Sequence, residues 1–244
     1  MRRGALLWER VAVRWSDAVV CVSEAERRRG ETAGVRGAWR VIPNGVDLAA
    51  YPPATSAERA AARARLRLPA NPLVVCVGRL SRQKGQDVLL AAWPTVRHKV
   101  PDAHLALVGD GPELGRLRSG SPEHVLFAGL RNDVPDWLAA ADVVAAPSRW
   151  EGMSIAVLEA LSRARPVVAA DTPGAAEAIG DEAGAVVPIE DASRLADELV
   201  VRLRAPRRAE IEGRKGRERV ERLFDLRRTT AAHAALYEEL ARRA

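Results

Sequence analysis

The chain has 244 residues, 48% hydrophobic and 29% charged, which is enough apolar material for a sizeable buried core. That length allows one large α/β domain, or one domain of usual size with a substantial appendage. No window approaches the ~18 uninterrupted apolar residues of a membrane-spanning helix, and residues 1–14 lack the apolar run and cleavage site of a secretory leader, so a cytoplasmic protein is expected. The net charge of +6 permits anionic partners without choosing among them. Only Lys84, Lys99 and Lys215 among the 38 basic residues are lysines, and aromatics, at 4%, do not interleave with the basic runs. Nucleic-acid binding is therefore not expected. Cys21 and Cys76 each lie in an apolar run and read as buried, reduced thiols.

In chain order, residues 1–15 are helix-like, and residues 16–46 hold AVVCVS, the charged helix EAERRRG and VIPNGV, two strands and a helix of one unit. Pro52, Pro53 and the capping-box pattern Thr55-x-x-Glu58 introduce an Arg/Ala-rich helix ending near Leu68 and Pro69, with a boundary expected at 48–53. From residue 73 to 188, short apolar runs alternate with helical stretches: LVVCVG, LALVGD, VLFAGL, VVAAPS, VVAAD and AVVP are the strands. Uninterrupted apolar strands separated by helices of this length read as βαβ units around a parallel sheet buried on both faces. Between LALVGD and VLFAGL, Pro112 reads as the first residue of a helix. A charged segment follows, and then a last amphipathic helix, TTAAHAALYEEL, whose Ala235, Leu236 and Leu240 are expected to share a stripe. The organisation expected is 1–50, 51–224 and 225–244.

Ligands of open parallel sheets bind beyond the carboxyl ends of the strands, so the loops there come first. After LVVCV stands Gly78-Arg79-Leu80-Ser81-Arg82-Gln83-Lys84-Gly85, where glycine admits a close ligand and Arg79 and Lys84 can converge on one anion. After VVAAPS comes Arg149-Trp150-Glu151-Gly152-Met153-Ser154-Ile155, and the next helix carries Glu159. Amides from Gly152 to Ile155 at that helix start favour a phosphate, and the two carboxylates suit sugar hydroxyls on either side of it. The arrangement suggests a nucleoside-diphosphate sugar. The run Gly109-Asp110-Gly111-Pro112-Glu113-Leu114-Gly115 places its third glycine one position late for a dinucleotide fingerprint. No Asp-x-Asp pair, histidine metal spacing, Gly-x-Ser-x-Gly or Walker sequence occurs.

Glu151-GMSIAVL-Glu159, with VIPNGVD (41–47), VGRLSRQKG (77–85), VGDGP (108–112), FAGL (127–130) and TPGAAE (172–177), resembles the family-4 glycosyltransferases of GT-B architecture. The resemblance implies an α/β, Rossmann-like parallel sheet flanked by helices, one half of a GT-B enzyme. It implies that Gly78, Arg79 and Lys84 bind the donor diphosphate, Glu159 the ribose, and Glu151 the transferred sugar. Gly152, Met153, Ser154 and Ile155 would offer backbone amides, and Leu130 and Arg131 would border the base. Members are retaining enzymes that transfer a hexose from a UDP- or GDP-linked donor to a hydroxyl without a metal or other cofactor. Arg79, Lys84 and Glu151 are then the expected catalytic residues.

Two local departures from the family stand out: Ser154 replaces glycine or proline, and Ala164-Arg165 replaces a glycine-containing turn. Both are expected to repack the helix. The family's N-terminal acceptor domain is represented only by its end, so activity is expected to require that domain from upstream sequence, a partner subunit or a homodimer. The acceptor expected is lipid-linked or a small molecule, with peripheral attachment at the inner membrane face through residues 1–15 and the basic C-terminal segment. The competing reading is a non-catalytic interaction module that uses the remnant strands and last helix.

Overall fold

The computed structural model describes residues 3–243. A helix, α1 (Arg3–Ala12), leads through a single 3-10 turn into β1 (Val19–Cys21), α2 (Glu24–Thr32) and β2 (Trp39–Val41), and the two strands pair in parallel. The chain then builds α3 (Ser56–Arg65), β3 (Leu73–Val77), α4 (Gln86–Lys99), β4 (His104–Val108), α5 (Leu114–Ser119) and β5 (Val125–Gly129). It continues with α6 (Val134–Ala140), β6 (Val143–Ala146), α7 (Ile155–Ser162), β7 (Val167–Ala170), α8 (Ala175–Ile179) and β8 (Gly184–Val187), and ends in α9 (Ala192–Arg204), α10 (Pro206–Leu223) and α11 (Leu226–Ala241). Six strands form one parallel sheet in the order β5-β4-β3-β6-β7-β8. The direction of winding reverses between β3 and β6, so the loops leaving those two strands flank the crevice where α/β sheets hold their ligands.

Side chains of a strand alternate between faces, and the sheet's two cores follow from that period. Leu73, Val75, Ala106, Val108, Val144 and Val167 face one core, with Leu138 of α6, Leu158 and Leu161 of α7, and Val220 of α10. Val74, Cys76, Leu105, Leu107, Val143 and Val168 face the other, with Leu89 and Trp93 of α4 and Leu195 and Leu199 of α9. Because both faces of the central strands are covered, their positions run almost continuously apolar, which is the pattern seen in the sequence, whereas the edge strands β5 and β8 are only half-buried. Each leucine fully buried there contributes about 1.5–3 kcal/mol relative to exposure. The two cysteines are buried and free, and burial pushes the Cys76 thiol up to about 12.

Several local expectations need correction. Pro112 lies ahead of α5, whose first residue is Leu114 after an N-cap at Glu113. Only half of the capping box forms: Thr55 Oγ accepts from the Glu58 N–H at 3.2 Å, while the Glu58 carboxylate turns to Arg163 at 2.6 Å. A buried guanidinium is a stronger partner for that carboxylate than an exposed backbone N–H. On α11 Leu236 is buried and Leu240 half-buried, but Ala235 is exposed, because His233 and not Ala235 stands three residues before Leu236 on that face.

The chain returns from α10 to the first unit. The Val46 N–H donates to Phe224 O at 2.9 Å and the Leu226 N–H to Val46 O at 3.1 Å. A Cβ on Gly45 would lie 2.5 Å from Leu226 Cα, so only glycine permits this crossing. Thr229 Oγ then donates to Pro43 O at 2.9 Å, and Arg40 pairs with Glu239 at 3.2 Å, which lays α11 along the small unit.

Candidate functional site

The loops after β3 and β6 are joined along their length. The Arg149 N–H donates to Gln83 O at 2.8 Å, and Gln83 Nε2 returns a bond to Trp150 O at 3.0 Å. Arg149 reaches Arg82 O at 2.8 Å, both oxygens of Asp87 at 2.9 Å and Glu190 at 2.6 Å. This paired fork, led by the Arg149 hydrogen bond, holds the Asp87 carboxyl below its usual range. Gly85 closes the first loop at φ 66°, and a Cβ there would fall 2.1 Å from Pro147 O, so the two loops touch backbone to backbone.

Within this frame Lys84 Nζ donates to Glu151, whose side chain is 6% exposed. The Lys84 methylenes lie over Gly78, 3.5 Å from where its Cβ would be. Burying a lysine and a glutamate together is tolerable only because each neutralises the other, and it fixes both heads at the crevice. The lysine retains two further N–H donors for an anion. Arg79 is exposed on the same loop and forms no ion pair among the described residues, so its charge is free.

Gly152 and Met153 form the bend before α7, and Ser154 is its N-cap but makes no side-chain capping bond, leaving the first-turn N–H groups free for a ligand. Met153 is buried and Ile155 is 52% exposed at the helix start. Glu159, one turn further in, is half-buried with the Tyr51 hydroxyl against its carboxylate; burial raises its pKa and the tyrosine bond partly offsets that. Leu130 is 81% exposed on the loop after β5. The neighbouring Arg131 is tied to Asp133 at 2.8 and 2.5 Å, with its guanidinium 5.8 Å from the Trp137 ring centre, which fixes its plane beside the edge strand.

Sequence reading missed the residues that hold this site to the first unit. Asn44 Nδ2 donates to Met153 O at 2.9 Å. Glu177 of α8 accepts from the N–H groups of Glu24 and Ala25 at 3.1 and 2.8 Å, capping α2 from across the crevice. A Cβ on Gly174 would lie 2.1 Å from Gly152 O, and one on Gly152 would lie 2.7 Å from Val22, so three segments meet at van der Waals limits. Asn44 and Glu177 fall inside the VIPNGVD and TPGAAE motifs, which was the only available signal. Between the units opens a cleft of about 1290 Å³, lined by Val19, Glu26, Trp39, Gln83, Trp150 and Glu151, among others. Among the described residues no cluster of three or more His, Cys, Asp and Glu is placed to hold a metal ion, and no helix is long and apolar enough to cross a membrane.

The fold and sequence have counterparts among known proteins. The GDP-mannose-dependent alpha-(1-6)-phosphatidylinositol monomannoside mannosyltransferase of Mycobacterium tuberculosis is 38% identical over 219 residues, 83% of this chain and 57% of that protein. The chain thus spans little more than half the length of the curated relatives it matches. Sucrose-phosphate synthase from Thermosynechococcus elongatus superimposes with a TM-score of 0.88 at 29% identity, covering 99% of this chain and 62% of that one. Anabaena Alr3699/HepE, in complex with UDP and glucose, gives 0.86 at 26% identity over 96% and 67%. The family model for Glycosyltransferase Family 4 matches residues 1–50, and that for Glycosyl transferases group 1 matches residues 71–204. The switch-point crevice with its paired lysine and glutamate is thus set in a chain that belongs to the glycosyl transferases group 1 family.

Proposed function

We propose that this chain binds a nucleoside-diphosphate hexose in the crevice between the β3 and β6 loops and transfers the hexose to an acceptor hydroxyl. The Lys84–Glu151 pair, on the same pair of loops as the free Arg79, carries this reading, because two cations and one carboxylate there suit a diphosphate and its sugar. The diphosphate lies against Arg79, Lys84 and the free N–H groups before α7, Glu159 takes the ribose hydroxyls, and the sugar rests at Glu151. As the glycosidic bond stretches, negative charge grows on the leaving phosphate, and Lys84 and Arg79 stabilise it. Retention is carried over from the family resemblance: the bond from the anomeric carbon to the phosphate oxygen breaks, that oxygen takes the acceptor proton, and the hydroxyl attacks from the face the phosphate leaves.

The mycobacterial relative is named for GDP-mannose and a phosphatidylinositol acceptor, and the Anabaena structure holds UDP and glucose. GDP-mannose and a lipid-linked acceptor are accordingly the first pair to test, with attachment at a membrane face through the acceptor. The acceptor lies in the cleft toward β1 and α2. The test is phosphorus NMR of the chain with GDP-mannose and with UDP-glucose, in chelator and with a phosphatidylinositol-type acceptor, followed by proton NMR of the glycoside formed. Nucleoside diphosphate accumulating with an α-configured product supports the reading; an inverted product, or turnover only after divalent metal is restored, contradicts the mechanism.

A further inference from the structure

A second cavity, of about 310 Å³, opens at the opposite end of the sheet, where Pro72, Asp142 and Pro166 lead into β3, β6 and β7. A five-residue strand is about 16 Å long, so this cavity and the donor crevice are separate places. Five arginines line it, Arg59, Arg63, Arg165, Arg202 and Arg214, against two carboxylates, Asp142 and Glu210.

The charges there do not balance. Asp142 is fully engaged: it accepts from Arg59 at 2.6 Å, from Arg63 at 2.7 Å and from the Leu73 N–H at 2.8 Å. Arg59 and Arg63 thus share one negative charge. Arg202 is charge-paired with Glu198 and Glu212 at 2.7 Å each. Arg165, only 7% exposed, has no carboxylate partner; it donates to the carbonyls of Ala54 at 2.7 Å and Ala141 at 3.3 Å, and its Nε finds no acceptor. Burial, and after it the like charge of Arg59, holds the Arg165 guanidinium down to about 10. Arg214 is exposed and forms no ion pair among the described residues. Glu210, the remaining acid, is exposed on the rim.

Backbone groups add to the positive field. The 18-residue helix α10 starts at Pro206 on the cavity wall, and no side chain caps its first turn. The wall also contains the strained turn that the sequence singles out: Ala164 is held at φ 56°, directly before Arg165. Gly213 allows α10 to press on that turn, since a Cβ there would lie 2.1 Å from Ala164 O. Strain and a buried, unpaired arginine are both costly, and an anion seated between Arg59, Arg165 and Arg214 offsets the charge part.

We propose that this cavity binds a phosphate-bearing small anion, of the size of pyrophosphate or a sugar phosphate, at a site distinct from the donor crevice. The volume admits such a ligand, and planar guanidinium groups match its oxygens in pairs.

The test is calorimetry with inorganic pyrophosphate on the Arg79→Ala/Lys84→Ala chain, in which the crevice cations are gone, so the outcome is independent of the glycosyltransferase reading. Saturable binding is expected, weakened at least tenfold by adding Arg214→Glu or Arg59→Gln and unchanged by Arg242→Glu. Absence of saturable binding, or equal binding with Arg214→Glu, would overturn the proposal. On the unmodified chain, pyrophosphate should slow phenylglyoxal modification of Arg214, read by mass spectrometry; equal rates with and without it would overturn the proposal even if the crevice variant did not fold. Phosphatidylinositol vesicles in place of pyrophosphate should give no protection, and protection by vesicles alone would contradict a small-molecule ligand.

Discussion

The two sheets of this molecule are built from similar apolar runs but live in different surroundings. In β3 four of five residues are buried and in β7 all four are, with helices on both faces. In β1 the pattern is half-buried, exposed, buried, and in β2 all three residues are only half-buried. Val20 is 42% exposed and Trp15, just before β1, 76%. A two-stranded sheet is marginal alone, so the small unit depends on what it borrows: the Glu177 cap on α2, the Asn44 bond to Met153 and the crossing at Val46. The difference teaches that the large sheet is stable by burial, whereas the small one is held by a few polar bonds that are also walls of the crevice.

Four perturbations press on that contrast. Leu107→Ala, in the fully covered sheet, should cost about 2–5 kcal/mol in denaturant unfolding, whereas Val20→Ala should stay within about 0.5 kcal/mol; equal losses would erase the distinction. Gly174→Ala should come next, at about 1–3 kcal/mol, because its Cβ collides with Gly152 O, and it should also weaken nucleotide binding. Glu177→Ala leaves the Ser23 cap of α2 in place but strips the Glu24 and Ala25 N–H groups of their acceptor, and should cost about 0.5–2 kcal/mol, with hydrogen exchange quickening in α2 and unchanged in β3 and β7. Faster exchange in the large sheet would show that the two units are not separable.

The smallest effect is in pH dependence, and it has opposite signs at two carboxylates. Asp87 has its pKa lowered by Arg149, so its contribution is present above its ordinary value and is lost as pH falls through the lowered one. Glu159 has its pKa raised by burial, so stability falls as pH rises from its ordinary value through the raised one. Glu159→Gln should therefore remove that decline and raise the melting temperature slightly at neutral pH, while Asp87→Asn should lower it. A Glu159→Gln chain that melts lower at neutral pH would contradict the sign.

The parallel sheet was legible because burial on both faces leaves no polar position to break the apolar runs, and the period-2 split into two cores needs no long-range information. The site loops were legible because a parallel sheet with this order puts its ligand loops at predictable strand ends. What holds them was not. Lys84 meets Glu151 across 67 residues, and Glu177 reaches Ala25 across 152; no local spacing encodes such pairs. Arg149 stood in its loop with no role assigned, and only the fold shows that it clamps Asp87 and Glu190. The Ala164-Arg165 departure read as simple repacking, whereas Arg165 is a buried cation on a cavity wall. Pro112 and Ala235 failed because element ends and helix faces shift by a residue or two without changing composition.

The account rests on Arg79 and Lys84 acting on a diphosphate at the switch point. Titrating GDP into the unmodified chain and into Arg79→Ala and Lys84→Ala, at one fixed salt concentration, measures that directly. The account predicts saturable one-to-one binding that weakens by at least about 1.5 kcal/mol in each variant, as charge-assisted contacts require. Binding of equal strength in all three, with melting temperatures unchanged, would contradict it.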